Sequence, residues 1–221
     1  MLEKYFEKEN FKFKHGLIIE TGCARYASNQ YRFSRDLSPI VPGTFIFSKM
    51  ADENNIKFIC VDWNPDMIEI AKREITSDNT EFVCAASHDY FTHLVSENVV
   101  ADFIYLDSSN DRHYILKEFK LALQMVDLGS VICIDDYSAE KCILIEEYLK
   151  SVNLPYEVDE LIVGTYPKMY VKITPEIVAE VKKSFDNFYN QYDWKKLNIE
   201  FRENQYQYEH AMCYINIGVD E

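Results

Sequence analysis

Glycine is scarce in this chain, with six among 221 residues. The shortage matters most in "GLIIETGCARYASN", residues 16–29, where an apolar run stops at Glu20-Thr21-Gly22 as strands do ahead of a nucleotide-binding turn. A dinucleotide fingerprint needs further glycines so that backbone amides can approach a pyrophosphate at a helix N-terminus. Here Gly22 stands alone, and Arg25-Tyr26 occupies the space of the later glycines. A nicotinamide-dependent oxidoreductase would therefore lack its phosphate cradle. Positive charge is short as well: 23 Lys and Arg face 37 Asp and Glu, a formal net charge of −14. That balance opposes bulk attraction to phosphate backbones or anionic lipid, and no Lys/Arg cluster stands out. No nucleic-acid partner is expected.

Long hydrophobic runs are missing too. The opening segment "MLEKYFEKENFKFKHG" alternates charges with aromatics and reads as neither a signal peptide nor a membrane span. The six cysteines show no CxxC pair and no metal-knuckle spacing. Cys60, Cys84 and Cys133 sit inside apolar, strand-like runs, where cysteine serves as a small buried hydrophobe. The pattern fits a reducing compartment. A soluble, cytoplasmic protein without a membrane partner is the expectation.

What is present is core-forming material: 48% of the residues are hydrophobic and 14% aromatic. Strand-like runs alternate with helical periodicity. "GLIIE" leads through a polar loop to "TFIFSKMA"; "IKFICVD" precedes "NPDMIEIAKREI", in which Asn64 is placed as N-cap and Pro65 at the first helical position. Met67, Ile70, Ala71 and Ile75 form its apolar stripe. "TEFVCAAS", "ADFIYLD" and "VICIDD" read as further strands. Ile115, Phe119, Ala122 and Val126 mark a helix between the last two, and Ser138 opens another carrying Cys142, Ile145, Leu149 and Val152. Short strands apolar on both faces, separated by helix-sized segments, predict an α/β domain: a doubly wound, mostly parallel sheet covered on both sides. "EVDELIVG" and "KMYVKIT" predict an antiparallel closing hairpin, and residues 174–221 a C-terminal helix plus β-hairpin extension packed on the 1–173 domain.

Such sheets bind ligands at the carboxyl ends of their strands. Four successive runs here end in acid, at Glu20, Asp62, Asp107 and Asp135-Asp136. Each alone reads as easily as a turn residue or a helix cap; together they line one edge. A ligand without phosphates suits this edge better than a dinucleotide. S-adenosylmethionine, with its ribose diol and its cationic sulfonium and ammonium, is such a ligand.

The order "ETG", "FICVDWNPDMIEIAKREI", "FVCAASHDYF", "FIYLDSSNDRHY", "VICIDDY" resembles the class I S-adenosylmethionine-dependent methyltransferases over roughly residues 16–150. Within that class it is most similar to metal-dependent small-molecule O-methyltransferases of the catechol and macrocin types. The resemblance implies a Rossmann-like fold in which Glu20 accepts from the methionine ammonium and the backbone of Thr21, Gly22, Cys23 and Ala24 passes the methionine moiety. It places Asp62 on the ribose hydroxyls, Trp63 against adenine, and Ser87 and His88 near the adenine edge. Asp107, Asp135 and Asp136 match positions that bind Mg²⁺, with Asp107 also beside the cofactor. The catechol-type pattern has a catalytic Lys at the third position after the metal Asp, and the macrocin type a His; this chain has Asn110, so His113 becomes the candidate base alongside Asp107. The acceptor implied is a small hydroxylated molecule or glycan unit. The competing reading is a catalytically inactive methyltransferase-fold binding module, motivated by Asn110 and the lone glycine. The loop from Arg25 to Gly43, with Arg32 and Arg35, reads as a lid or substrate-recognition segment, and the C-terminal hairpin as a surface for homo-oligomer formation.

Overall fold

Three strands are buried along their whole length: β1 (Leu17–Thr21), β4 (Phe103–Leu106) and β5 (Val131–Ile134). Residues covered on both faces belong at the centre of a sheet, and these runs do lie there. The computed structural model describes residues 2–23, 43–137, 139–151, 153–159 and 167–174. Its other strands are β2 (Lys57–Asp62), β3 (Thr80–Cys84), β6 (Glu157–Val158) and β7 (Met169–Lys172). The helices are α1 (Leu2–Glu9), α2 (Gly43–Asn54), α3 (Pro65–Glu74), α4 (Ser87–Ser96), α5 (Arg112–Ala122) and α6 (Ala139–Ser151).

The seven strands are ordered β3-β2-β1-β4-β5-β7-β6. All neighbours from β3 to β5 pair in parallel, and β7 is antiparallel to both β5 and β6. The expected doubly wound sheet with a closing hairpin is therefore present. From β1 the chain runs outward to β3 and then returns to β4 on the other side. The reversal between β1 and β4 is the switch point at which open α/β sheets form their ligand crevice.

Alternation along the strands builds two cores. Ile19, Ile104, Leu106, Ile132 and Ile134 face α4, α5 and α6. Ile18, Phe58, Phe103, Tyr105 and Tyr170 face α1, α2 and α3. The charge-and-aromatic N-terminus is an amphipathic helix on this second face, burying Leu2, Tyr5 and Phe6 at i, i+3, i+4 spacing. Tyr5 stacks on Tyr170 with ring centroids 4.0 Å apart, and Phe6 meets Phe103 at 4.7 Å.

Local expectations are met unevenly. Asn64 caps α3 through the Asp66 amide with Pro65 behind it, but the buried stripe is Ile68, Ala71 and Ile75, with Met67 and Ile70 only partly covered. Ala71 and Ile75 keep the expected stripe, and Ile68 takes the buried place expected of Met67. Cys60 and Cys133 are fully buried, whereas Cys84 is exposed on the edge strand β3. Ser138 and Val152, the loop from Arg25 to residue 42 and the extension beyond residue 174 lie outside the described residues. Among the described residues no helix is long and apolar enough to cross a membrane.

One buried acid sets where β1 begins. Asp102, 3% exposed, accepts backbone N–H bonds from Lys14 at 2.8 Å, His15 at 2.9 Å and Leu17 at 3.1 Å. Its own amide donates to the Leu17 carbonyl at 2.9 Å. The carboxylate thereby gathers the amides of the chain entering β1 and fixes them beside β4. Asp102→Ala strands three part-buried donors and is expected to cost roughly 2–4 kcal/mol, read from the urea midpoint; Asp102→Asn, which keeps one acceptor, should lose less.

Candidate functional site at the carboxyl edge of the sheet

Gly22 follows β1 with φ +88°, and a Cβ there would lie 2.5 Å from the Asp107 carbonyl oxygen. Only glycine permits both the backbone angle and the approach. The turn is held from two sides. Asp107 donates its amide to the Thr21 carbonyl at 3.0 Å and to Thr21 Oγ1 at 3.2 Å. Asp62 Oδ2 accepts from the Cys23 amide at 2.8 Å, while Oδ1 accepts from Asn64 at 2.8 Å. Thr21, Gly22, Cys23 and Asp62 thus meet at one strand end; Ala24 lies outside the described residues. Asp62 organises the crevice and retains lone pairs for a further donor. Trp63 beside it is 47% exposed, a large indole left open at a strand end.

Glu20 is placed differently. It is 2% exposed, accepts from Cys60 Sγ at 3.3 Å, and bonds Thr44 at the start of α2. A Cβ on Gly43 would come within 2.7 Å of Glu20 Oε1, so this helix start is fitted around the carboxyl. Burial raises Glu20 well above the usual carboxylate range. Rather than standing open at the edge, Glu20 is turned inward beneath α2.

Ser87 and His88 open α4, and both face Tyr114 of α5. Ser87 Oγ lies 2.8 Å from the Tyr114 hydroxyl. His88 stacks on the Tyr114 ring at 3.8 Å, and its Nε2 lies 3.2 Å from the Tyr114 carbonyl. Burial first, and the charge of Lys117 second, push His88 down to about 3. The ring is therefore neutral, and it can meet that carbonyl only as an N–H donor. His113 sits in the first turn of α5, where Asp111 caps the helix through the His113 and Tyr114 amides at 2.9 and 2.8 Å.

Asp107, Asp135 and Asp136 do converge: carboxylate oxygens from all three lie within 4.8 Å of one another. Successive residues in a strand point to opposite faces. Asp136 escapes that alternation by adopting φ +47°, a left-handed angle that Asp tolerates better than most residues. The same turn bonds the Tyr137 amide to the Pro167 carbonyl at 2.7 Å. That contact brings in a residue the sequence did not flag. Because Ile134 pairs with Met169 in the antiparallel register, Lys168 stands opposite Asp135, and its ammonium bonds the Asp135 carboxylate. Lys141, third residue of α6, is 1% exposed and reaches Asp107 Oδ1 at 3.3 Å. Burial alone would raise Asp135, but Lys168 holds its carboxyl below the usual range, helped by the Tyr105 hydroxyl. Asp107 goes the other way: burial, then the charge of Asp135, pushes it up to about 7.

The donor set thus has the right atoms for a divalent cation, hard carboxylate oxygens at close spacing. Its positive charge, however, is already supplied. Two buried ammonium groups occupy the cluster, and α6 starts beside it with the positive end of its dipole. Mg²⁺ does not fit this arrangement as it stands.

A second buried acid lies on the other face of β1. Glu118 of α5 is completely buried, with the Thr21, Ser87 and Ser108 hydroxyls nearby, yet neither oxygen closes a well-formed hydrogen bond among the described residues. Burial pushes it up to about 7 despite those hydroxyls. Nothing in the sequence marked Lys141, Lys168 or Glu118 as site residues, since each lies within an otherwise ordinary helical or strand-like pattern.

Residues 43–137 match a family described as "Methyltransferase domain". Among solved structures, a protein from Clostridium thermocellum titled as an rRNA methylase shares the fold with TM-score 0.56 and 12% identity, over 79% of this chain and 96% of that one. An O-methyltransferase from Bacillus cereus, solved with S-adenosylhomocysteine (SAH), matches with TM-score 0.53 and 14% identity over 72% and 76%. The MycE methyltransferase of the mycinamycin pathway, solved with Mg, SAH and mycinamycin VI, matches with TM-score 0.50 and 11% identity over 77% of this chain and 48% of that one. No curated protein matches in sequence. The fold is that of the class I S-adenosylmethionine-dependent methyltransferases.

Glu118 offers a test of how tightly the floor of this site is sealed. Its folded value of about 7 exceeds the ordinary 4.5, so the unfolded chain releases the proton first. Stability is therefore lost as pH rises from 4.5 through 7. Glu118→Gln, which cannot ionise, should gain on the wild type by about 2 kcal/mol between pH 5 and pH 8, measured by urea unfolding at both values.

Proposed function

We propose that this chain, built on the class I methyltransferase fold, transfers the methyl group of S-adenosylmethionine to a hydroxyl oxygen of a small molecule or sugar unit. The observation that carries the reading is the adjacency of two features. The Gly22 turn touches Asp107, and Asp107 belongs to the acid cluster at the ends of β4 and β5. A methionine tail passing Gly22 would present its methyl group to that cluster. Asp62 would accept from the ribose hydroxyls, and Trp63 would cover the adenine. A neutral His88 locked on Tyr114 would act as a wall rather than a charged partner.

The reaction is an in-line displacement. The acceptor oxygen forms its bond to the methyl carbon while the carbon–sulfur bond breaks, the bonding pair passing to sulfur and leaving SAH. The acceptor's proton goes to a carboxylate. Asp107 suits that role by position, since its side chain is 35% exposed and lies beside the Gly22 turn. His113 is the alternative base. Positioning carries much of such a reaction, because the two partners must meet within about 3–3.5 Å along one line.

Two measurements test the reading. Calorimetric titration of SAH should show binding to the wild type and a loss of roughly tenfold or more in Asp62→Ala, which removes a charged acceptor from the ribose. No binding to the folded wild type would remove the cofactor assignment. With a hydroxylated acceptor that turns over, Asp107→Asn should lower kcat about a hundredfold or more while SAH affinity persists, and His113→Ala should stay near the wild type. The reverse pattern would transfer the base to His113. Cofactor binding with no turnover on any acceptor would favour the binding-module reading.

A further inference from the structure

We propose that Lys141 and Lys168 take the place of a divalent cation in the acid cluster, so that acceptor binding at this site is metal-independent. The inference rests on the proposed methyltransferase reading and deepens it, by assigning the positive charge of the acceptor site to the chain itself.

The geometry gives each lysine its own carboxylate. Lys141 enters from the first turn of α6 and reaches Asp107 at 3.3 Å. Lys168 enters from the head of β7 and bonds Asp135, with its ammonium 5.3 Å from the centroid of the Tyr105 ring. Neither lysine is a surface side chain: Lys141 is 2% exposed and Lys168 12%, against 35% for Asp107 and 15% for Asp135. A lysine in the first turn of a helix opposes the helix dipole, and a buried ammonium is tolerated only where it is answered by charge. Both placements are thus explained by the acids, and the acids by the lysines. Three carboxylates with two ammonium groups leave one formal negative charge; a divalent cation would turn the same cluster net positive. Both ammonium groups supply positive charge beside the carboxylates, where negative charge develops as an acceptor oxygen loses its proton.

Cation binding decides between lysines and metal independently of methyl transfer. The probe is Mn²⁺, titrated into the EDTA-treated full chain and followed by loss of the free-ion electron paramagnetic resonance signal. The wild type should take up no stoichiometric Mn²⁺ at submillimolar concentrations, and its affinity for SAH should be equal in Mg²⁺ and in EDTA. Lys168→Met and Lys141→Met, each of which unmasks a carboxylate, should bind Mn²⁺ at least tenfold more tightly than the wild type. Stoichiometric Mn²⁺ uptake by the wild type, abolished by Asp135→Asn, would overturn the proposal. So would lysine variants that fold and still ignore Mn²⁺, because the lysines would then not be what excludes the ion. Should both variants fail to fold, the wild-type titration alone decides. Failure to bind SAH under any condition would count against the methyltransferase reading and leave the Mn²⁺ result unaffected.

Discussion

The close approach of Gly22 to the Asp107 carbonyl governs the rest of the site. Parallel strands β1 and β4 lie side by side, but their chains leave towards opposite faces of the sheet. At that divergence the backbone after β1 must bend over the end of β4, and only a residue without a Cβ can do so with φ +88°. Everything around the crevice is hung on this contact. Thr21 receives the Asp107 amide, Asp62 receives the Cys23 amide, and Asp107 is delivered to the mouth of the crevice.

The second governing constraint is that charge withdrawn from water must be answered inside the protein. The answer differs from one buried acid to the next. Asp102 is met by backbone amides and serves the fold. Glu20 and Glu118 are raised towards the protonated state by burial, and Asp107 is raised as well. Asp107 and Asp135 are met by lysines from α6 and β7. The acids therefore divide into a structural anchor at the start of β4, buried groups raised by burial, and a cluster at the ends of β4 and β5 that is paired with lysines. The antiparallel strand β7 is what makes the cluster distinctive, because its register sets Lys168 against Asp135.

The comparisons in structure and the 43–137 domain match agree with this arrangement at the level of fold. The acid cluster at the ends of β4 and β5 is where this chain departs from the pattern that its motifs resemble. Asn110 stands where a base is usual, and two lysines from later elements converge on the acids instead.

The sequence by itself determined the layered fold and the edge at which the site lies. Short strands apolar on both faces can be satisfied only by helices on both sides, and acids at the carboxyl ends of parallel strands share one edge. The Asn64 cap, the Gly22 turn and the convergence of Asp107 with Asp135 and Asp136 follow from local chemistry of that kind. Tertiary structure alone decided which acids are free to meet a ligand. Glu20 turns under α2, His88 locks onto Tyr114, and Lys141 and Lys168 join Asp107 and Asp135 across more than thirty residues of chain. Periodicity reports whether a side chain faces a core, but not which charge from another element it will find there. That pairing is set by strand register and helix docking, and it exists only in the folded protein.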